Sequence, residues 1–251
     1  MSIADGQVPS WQEKLSCLIK GEAFLSSPED FNDPFDCLPH FRTPERRSSI
    51  PSFLDSLASK IARSVEDFDE PQIRDKLEQN LAGIDPDELS LIIQKSMIQT
   101  SGRLGVFCLT ESIKNVLMWS HYAANHQGIA VGFRFDLFQR NGLMPIMKVT
   151  YEPERPAIDV HSPDEHKNEI ADALAVKADF WKYENEWRCI RPNSKHEFLR
   201  FDPTIIDRIV FGAKCTKKVR SEVRNIVNRS DFSYFEVSPQ VENFELRFRE
   251  V

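Results

Sequence analysis

The chain predicts an α+β fold with a mixed, mainly antiparallel twisted sheet, flanking helices and a helical insertion. Three observations carry this. Apolar segments of strand length stand at 105–110, 128–135, 146–152, 184–191 and 205–212. Residues 52–100 are helical in pattern throughout. The element order (strand, helical block, then β-α-β-β-α-β-β-α-β-β) is neither a regular βαβ alternation nor an all-β sandwich. We read residues 1–251 as a single domain with 42–104 as a helical insertion within it.

In order, Trp11, Leu15 and Leu18 have helical spacing over 11–20, and Gly21 ends that helix. Glu22–Ser26 reads as a short strand. The Pro- and Asp-rich stretch SSPEDFNDPFDCLPHF reads as a structured loop, and 42–51 as a mobile linker. Asp85, Pro86 and Glu88 form a helix start, with Leu89, Ile92, Ile93 and Met97 as its apolar stripe. GVFCLT at 105–110 is a strand, and a helix spans Ile113–Ala124. Strands follow at 128–135 and 146–152, a helix at 164–179 and a strand at 184–191. Phe198–Phe201 is a further short strand and 205–212 another. Thr216 opens a helix with Val219, Val223 and Ile226 at helical spacing, and strands at 232–237 and 243–249 complete the series.

With 251 residues, folding buries roughly 70–75% of the unfolded surface, so no disulfide or metal staple is needed. Hydrophobic content of 41% and charged content of 28% are those of a globular protein. A net charge of −7 argues against general duplex-DNA binding, which needs a basic footprint. The five cysteines show no CxxC, so zinc sites and redox pairs lack support, and Cys108 and Cys189 are expected to be buried core thiols. MSIADGQVPS lacks a signal-peptide layout, and no apolar run of about 18 residues occurs, so a cytoplasmic protein without a membrane partner is expected.

The richest segment is KADFWKYENEWR, Lys177–Arg188. As a strand it places Glu184, Glu186 and Arg188 on one face and Tyr183, Trp187 and Cys189 on the other. Carboxylates among aromatics are where protonation equilibria shift and chemistry becomes feasible. The sharp reading is a carboxylate stabilising a cationic transition state at a sugar carbon; the bland one is a salt-bridge row with Arg188. NDPFD offers Asn32 and Asp33 to a pocket, or else forms an ordinary Asx turn. In LMWSHYAANHQGIAVGF, Met118, His121, Tyr122 and Asn125 share one helix face; Trp119, Ala123 and His126 share the next. His121 and His126 are five apart, not the i, i+4 pair that clamps zinc, so no metal is expected. Lys214, Lys217, Lys218 and Arg220 crowd a helix start, where either solvent or a bound anion balances them. Gly-rich nucleotide loops and a GxSxG are absent.

FLSSPEDFNDPFD (24–36), VFCLTE (106–111), MWSHYAANHQGIAVGF (118–133), VTYE (149–152) and KADFWKYENEWR occur in this order. The series resembles domain of unknown function 2971 (DUF2971), a mostly bacterial family, over residues 14–192. The layout is similar to the ADP-ribosyltransferase fold. That resemblance implies NAD as cosubstrate and Glu184-Asn-Glu186 as a Glu-x-Glu motif, with Glu186 in the catalytic place. It also implies a strand before the first helix with a Tyr-Lys-Tyr-like stretch, where this chain has IADGQVPS.

Two readings follow. In the first, Glu186, Glu184 and His121 are catalytic, and Asn32, Asp33, Trp119, Tyr122, His126, Tyr183 and Arg188 bind substrate. The protein would then be an NAD-using ADP-ribosyltransferase acting on a protein or nucleic-acid acceptor, in a toxin or phage-defence setting. In the second, the chain is a non-catalytic binding or regulatory module in which NDPFD and the Glu186–Arg188 pair are structural. Convergence of Glu186, Arg188, His121 and Asn32 on an open cavity favours the first; burial of Glu186 and Arg188 beneath packed side chains favours the second.

Overall fold

Local chemistry sets the element ends. Ser10 opens the helix Trp11–Ile19 with a capping box: its hydroxyl accepts from Glu13 N–H, and the Glu13 carboxylate accepts from Ser10 N–H. Gly21, at φ 86°, then turns the chain into the strand Glu22–Phe24. A Cβ there would stand 2.2 Å from the Phe201 carbonyl oxygen, so only glycine fits. Asp85 caps the helix Pro86–Ser101 by accepting from Glu88 N–H, with proline in the first turn.

The structure, a computed structural model, describes residues 9–45, 47–64, 69–81, 83–134, 146–158 and 169–251. IADGQVPS, read as lacking the strand that the family resemblance implies before the first helix, lies largely outside the described residues. The chain divides into two compact units: Met1–Asp30 with Arg103–Tyr151 and Asp179–Val251, and Phe31–Gly102 with Glu152–Ala178.

The first unit is built on two sheets. In one, the strands run in the order Leu246–Glu250, Ser233–Pro239, Ile206–Phe211, Ile129–Phe133. Ile206–Phe211 is parallel to Ser233–Pro239 and antiparallel to Ile129–Phe133. The helix Lys217–Val227 makes the parallel crossover, as such a connection requires. In the other sheet, Glu186–Arg191 is central, antiparallel to both Gly105–Thr110 and Ile146–Lys148. Glu22–Phe24 pairs separately with Phe198–Arg200. Leu15, Leu25, Cys189, Ile209, Phe211 and Val223 lie at the heart of one apolar core drawing on both sheets and the helices Trp11–Ile19 and Lys217–Val227.

In the second unit, Phe53, Leu54, Ile84 and Leu89 form the core of the helices Ile50–Ser64, Glu70–Leu81 and Pro86–Ser101. His40–Phe41 pairs in parallel with Ala157–Ile158. The molecule is therefore α+β with mixed and mainly antiparallel pairing, distributed over several small sheets. None of the helices among the described residues is long and apolar enough to cross a membrane.

Four local expectations are corrected. The stretch read as a linker over 42–51 carries a short 3-10 turn at Arg47–Ser49 and the start of the helix at Ile50. Residues 146–152 make two strands, because Val149 turns inward at 3% exposure and donates its N–H to the Glu186 carbonyl. The segment read as a helix over 164–179 contains, among the described residues, Glu169–Leu174 as helix and Val176–Ala178 as strand. Cys108, read as a core thiol, is exposed; the neighbouring Phe107 packs on the core instead.

Cys189 is buried, which pushes its thiol up to about 11. A thiol-alkylating reagent added to the native protein is therefore expected to modify Cys108 well before Cys189, as read by peptide mass spectrometry. Equal labelling of the two would contradict the register that pairs Phe107 with Cys189.

Candidate functional site

The segment 177–188 is not one strand. Asp179–Glu184 winds as a 3-10 helix, Asn185 sits in the left-handed region at φ 45°, and the strand begins at Glu186. Asn suits this conformation, since its short polar side chain tolerates it; here its amide donates to the Ser112 hydroxyl at 2.9 Å. This turn breaks the two-residue alternation, so the expected single face carrying Glu184, Glu186 and Arg188 is corrected. Only Glu186 and Arg188 remain on one strand face.

These two form a bidentate pair. Arg188 Nε donates to Glu186 Oε1 at 2.7 Å and Nη2 to Oε2 at 2.9 Å. Arg188 has 0% of its surface exposed and Glu186 5%. The charged face of the strand is thus buried. On the opposite face Cys189 enters the core, and Trp187 stands at the edge. There the Trp187 ring N–H donates to Glu111 at 2.7 Å, and Lys148 Nζ lies 5.4 Å from its ring centre.

Glu184 has a different setting. It is 2% exposed, and its Oε1 accepts from the Tyr122 hydroxyl at 2.5 Å. Thr110 donates its hydroxyl to the Glu184 carbonyl oxygen. Around this pair lies a ring cluster. The His121 ring centre is 6.3 Å from each of Tyr122, Trp181 and Tyr183, and Trp181 and Tyr183 are 6.0 Å apart. His121 and Tyr122 are exposed, Trp181 and Tyr183 half-buried. Neighbouring Phe180 is 68% exposed.

The helix beneath the cluster is shorter than its pattern predicts. It runs Val116–Tyr122, with Asn115 as cap accepting from Leu117 N–H at 2.8 Å. Trp119, expected to face a ligand, packs instead into an apolar cluster with Ala123, Val210, Val237 and Leu246. It is 2% exposed, and its ring N–H is taken by the Ile113 carbonyl at 2.7 Å. Ala124, Asn125 and His126 all have positive φ, and this turn delivers the chain to the strand Ile129–Phe133. His126 Nε2 is 3.0 Å from the Ser120 hydroxyl, and its carbonyl accepts from Lys214 N–H. His126 therefore closes the turn, and none of its contacts reaches the ring cluster.

Asn32 and Asp33 belong to the second unit. Asp33 is 5% exposed, and its Oδ1 accepts from Phe35 N–H at 2.9 Å, an Asx turn. The residue of NDPFD that reaches another motif is Asp36, which the sequence reading passed over. It lies 3.2 Å from Lys177 Nζ, with both side chains under 5% exposed. Its signal in the sequence was a charge following an aromatic in a tight loop, which is weak.

At the basic helix start, Arg220 pairs with Glu236 at 2.8 Å and lies over the Phe211 ring at 5.0 Å, while Lys217 and Lys218 are solvent-exposed. The two guanidinium groups of Arg220 and Arg249 hold the Glu236 carboxyl below its ordinary range. The solvated-face reading thus accounts for this segment. Among the described residues, no group of three or more His, Cys, Asp or Glu side chains is placed to hold a metal ion.

Residues 118–189 match the model of a family described as protein of unknown function, DUF2971. The resemblance to that family is thereby shown for the segment from the Trp119 helix to the Glu186 strand, a shorter stretch than 14–192. No curated protein and no solved structure matches the chain.

The buried pair makes a clear prediction. Arg188→Met alone leaves Glu186 uncompensated and is expected to cost about 3–5 kcal/mol in chemical denaturation, whereas Glu186→Leu with Arg188→Met should recover most of that loss. A single variant as stable as the parent would show that the pair is not sealed.

A second prediction concerns pH. Burial, reinforced by the Lys214 charge, holds the His126 imidazole below its ordinary value of 6.5. The unfolded chain then takes up the proton at higher pH than the folded one, so this contribution to stability falls as pH drops through 6.5. The melting-temperature difference between the parent and His126→Gln should shrink from about pH 7.5 to about pH 5.5. A difference that stays constant would remove His126 as its source.

Proposed function

We propose that this chain acts as a binding module in which Glu186–Arg188 and the NDPFD turn are structural and the His121–Tyr122–Trp181–Tyr183 ring cluster meets the ligand. The observation that carries this is the state of the Glu186–Arg188 pair. Both carboxylate oxygens are bound by one guanidinium, and that guanidinium is wholly buried. A carboxylate so engaged is poorly placed to track a ribose through a changing charge state.

The ring cluster supports a ligand with a flat aromatic part, and a nucleotide fits that chemistry. Stacking on protein aromatics contributes about 1–3 kcal/mol per base and tolerates different bases. His121 adds a ring that can donate or accept at its edge. Glu184 and Tyr122 stand behind it as a fixed polar pair.

A second reading is ADP-ribosyl transfer from NAD to a protein or nucleic-acid acceptor, in a bacterial toxin or defence setting. One observation favours it: Glu184, the first glutamate of the Glu-x-Glu motif, contacts the ring cluster through Tyr122. On this reading Glu184 is the carboxylate that stabilises the oxocarbenium-like transition state, with Tyr122 orienting it.

Calorimetric titration of the purified chain with NAD, ADP-ribose and AMP tests the first reading. Binding of at least one of them should weaken about tenfold in Tyr183→Ala. Absence of binding by all three, or equal binding by the variant, would sink it. A nicotinamide-release assay on the parent, Glu184→Gln and Glu186→Gln separates the two readings. The module releases none; transfer predicts release lost in Glu184→Gln; release lost only in Glu186→Gln would overturn both.

A further inference from the structure

The second unit holds a cavity of about 300 Å³, at the lower end of the range for small-molecule sites. Its walls come from the loop Leu38–Thr43, from the helix Pro86–Ser101, and from Arg155. Leu38, Phe41, Ile93 and Met97 make one part apolar; Ile93 and Met97 are one helical turn apart on the same stripe. Among the described residues, Arg155 and His40 are the basic lining residues, and no Asp or Glu lines the cavity.

Arg155 is held in place without being satisfied. Its Nη2 donates to the Leu38 carbonyl at 2.6 Å, and its guanidinium lies 5.4 Å from the centre of the Phe35 ring. Its Nε is buried and has no hydrogen-bond partner among the described residues. A buried charged donor without an acceptor is costly, and natural structures rarely leave one so. The fork geometry of a guanidinium suits a carboxylate.

We propose that this cavity is a binding site for a small amphipathic carboxylate, its anionic end on Arg155 and its apolar body against Leu38, Phe41, Ile93 and Met97. Phosphate esters fit less well, since recognition of a dianion draws on several donors at once. The site does not rest on the ring cluster or on the reading proposed for it.

Octanoate is the probe, with 1-octanol as its uncharged counterpart, titrated calorimetrically into the full chain. Octanoate should bind the parent, and Arg155→Met should weaken it at least about tenfold while leaving octanol unchanged. Ser90→Trp places a bulky ring at an exposed rim position of the helix and should abolish binding of both probes. Absence of octanoate binding by the parent, or equal affinity in Arg155→Met, overturns the proposal. Should Arg155→Met fail to fold, undiminished octanoate binding by Ser90→Trp overturns it as well, and loss of binding there upholds it.

Discussion

The first unit depends on the pairing of Glu186 with Arg188. Their strand is the middle of a three-stranded sheet, hydrogen-bonded on both sides. One face delivers Cys189 to the core with Phe107 and Ile146 alongside. The other face buries a full guanidinium. Removing two charges from water is unfavourable by several kcal/mol each, and only close, well-aligned partners offset it. The register is therefore doubly specified. A slip of one residue would send Arg188 into the apolar core and Cys189 to the polar side.

The second unit applies the same physics at Asp36 and Lys177. A carboxylate from a turn meets an ammonium from the segment that precedes the 3-10 helix, and both are nearly sealed. The turn that presents Asp36 is itself fixed by Asp33 capping Phe35 N–H. Each unit thus carries a buried ion pair: Glu186–Arg188 lies within KADFWKYENEWR, and Asp36–Lys177 joins that motif to NDPFD. Buried pairs specify position more than they add stability, because an apolar substitute of equal shape would often serve as well energetically.

Much of the architecture was legible. The Asp85–Pro86 start and the Thr216 helix each rest on local hydrogen bonding, which the sequence states directly. Strand periodicity found Gly105–Thr110 and Ile206–Phe211 for the same reason. What periodicity could not see was Asn185. One residue at positive φ follows the 3-10 helix and resets the alternation, so Glu184 and Glu186, two apart in sequence, belong to different elements. Nor could it see that Trp119 finds its acceptor in the Ile113 carbonyl, which converts a plausible ligand contact into core. The site was legible in composition, aromatics with carboxylates, and illegible in which of them face outward, because exposure is a tertiary property.

That division of exposure decides what chemistry the segment can offer. A motif mixing Glu, Arg, Trp and Tyr would ordinarily bury its rings and expose its charges. Here Glu184, Glu186 and Arg188 are buried, while Tyr122 and Phe180 are exposed and His121 lies among the rings. The burial is tolerated because each charge has a partner of fixed geometry. With the charges held inside, the rings are left at or near the surface, where covering them would be favourable. The side of this segment left open to a ligand is therefore its aromatic one, and Glu184 shares a hydrogen bond with it through Tyr122.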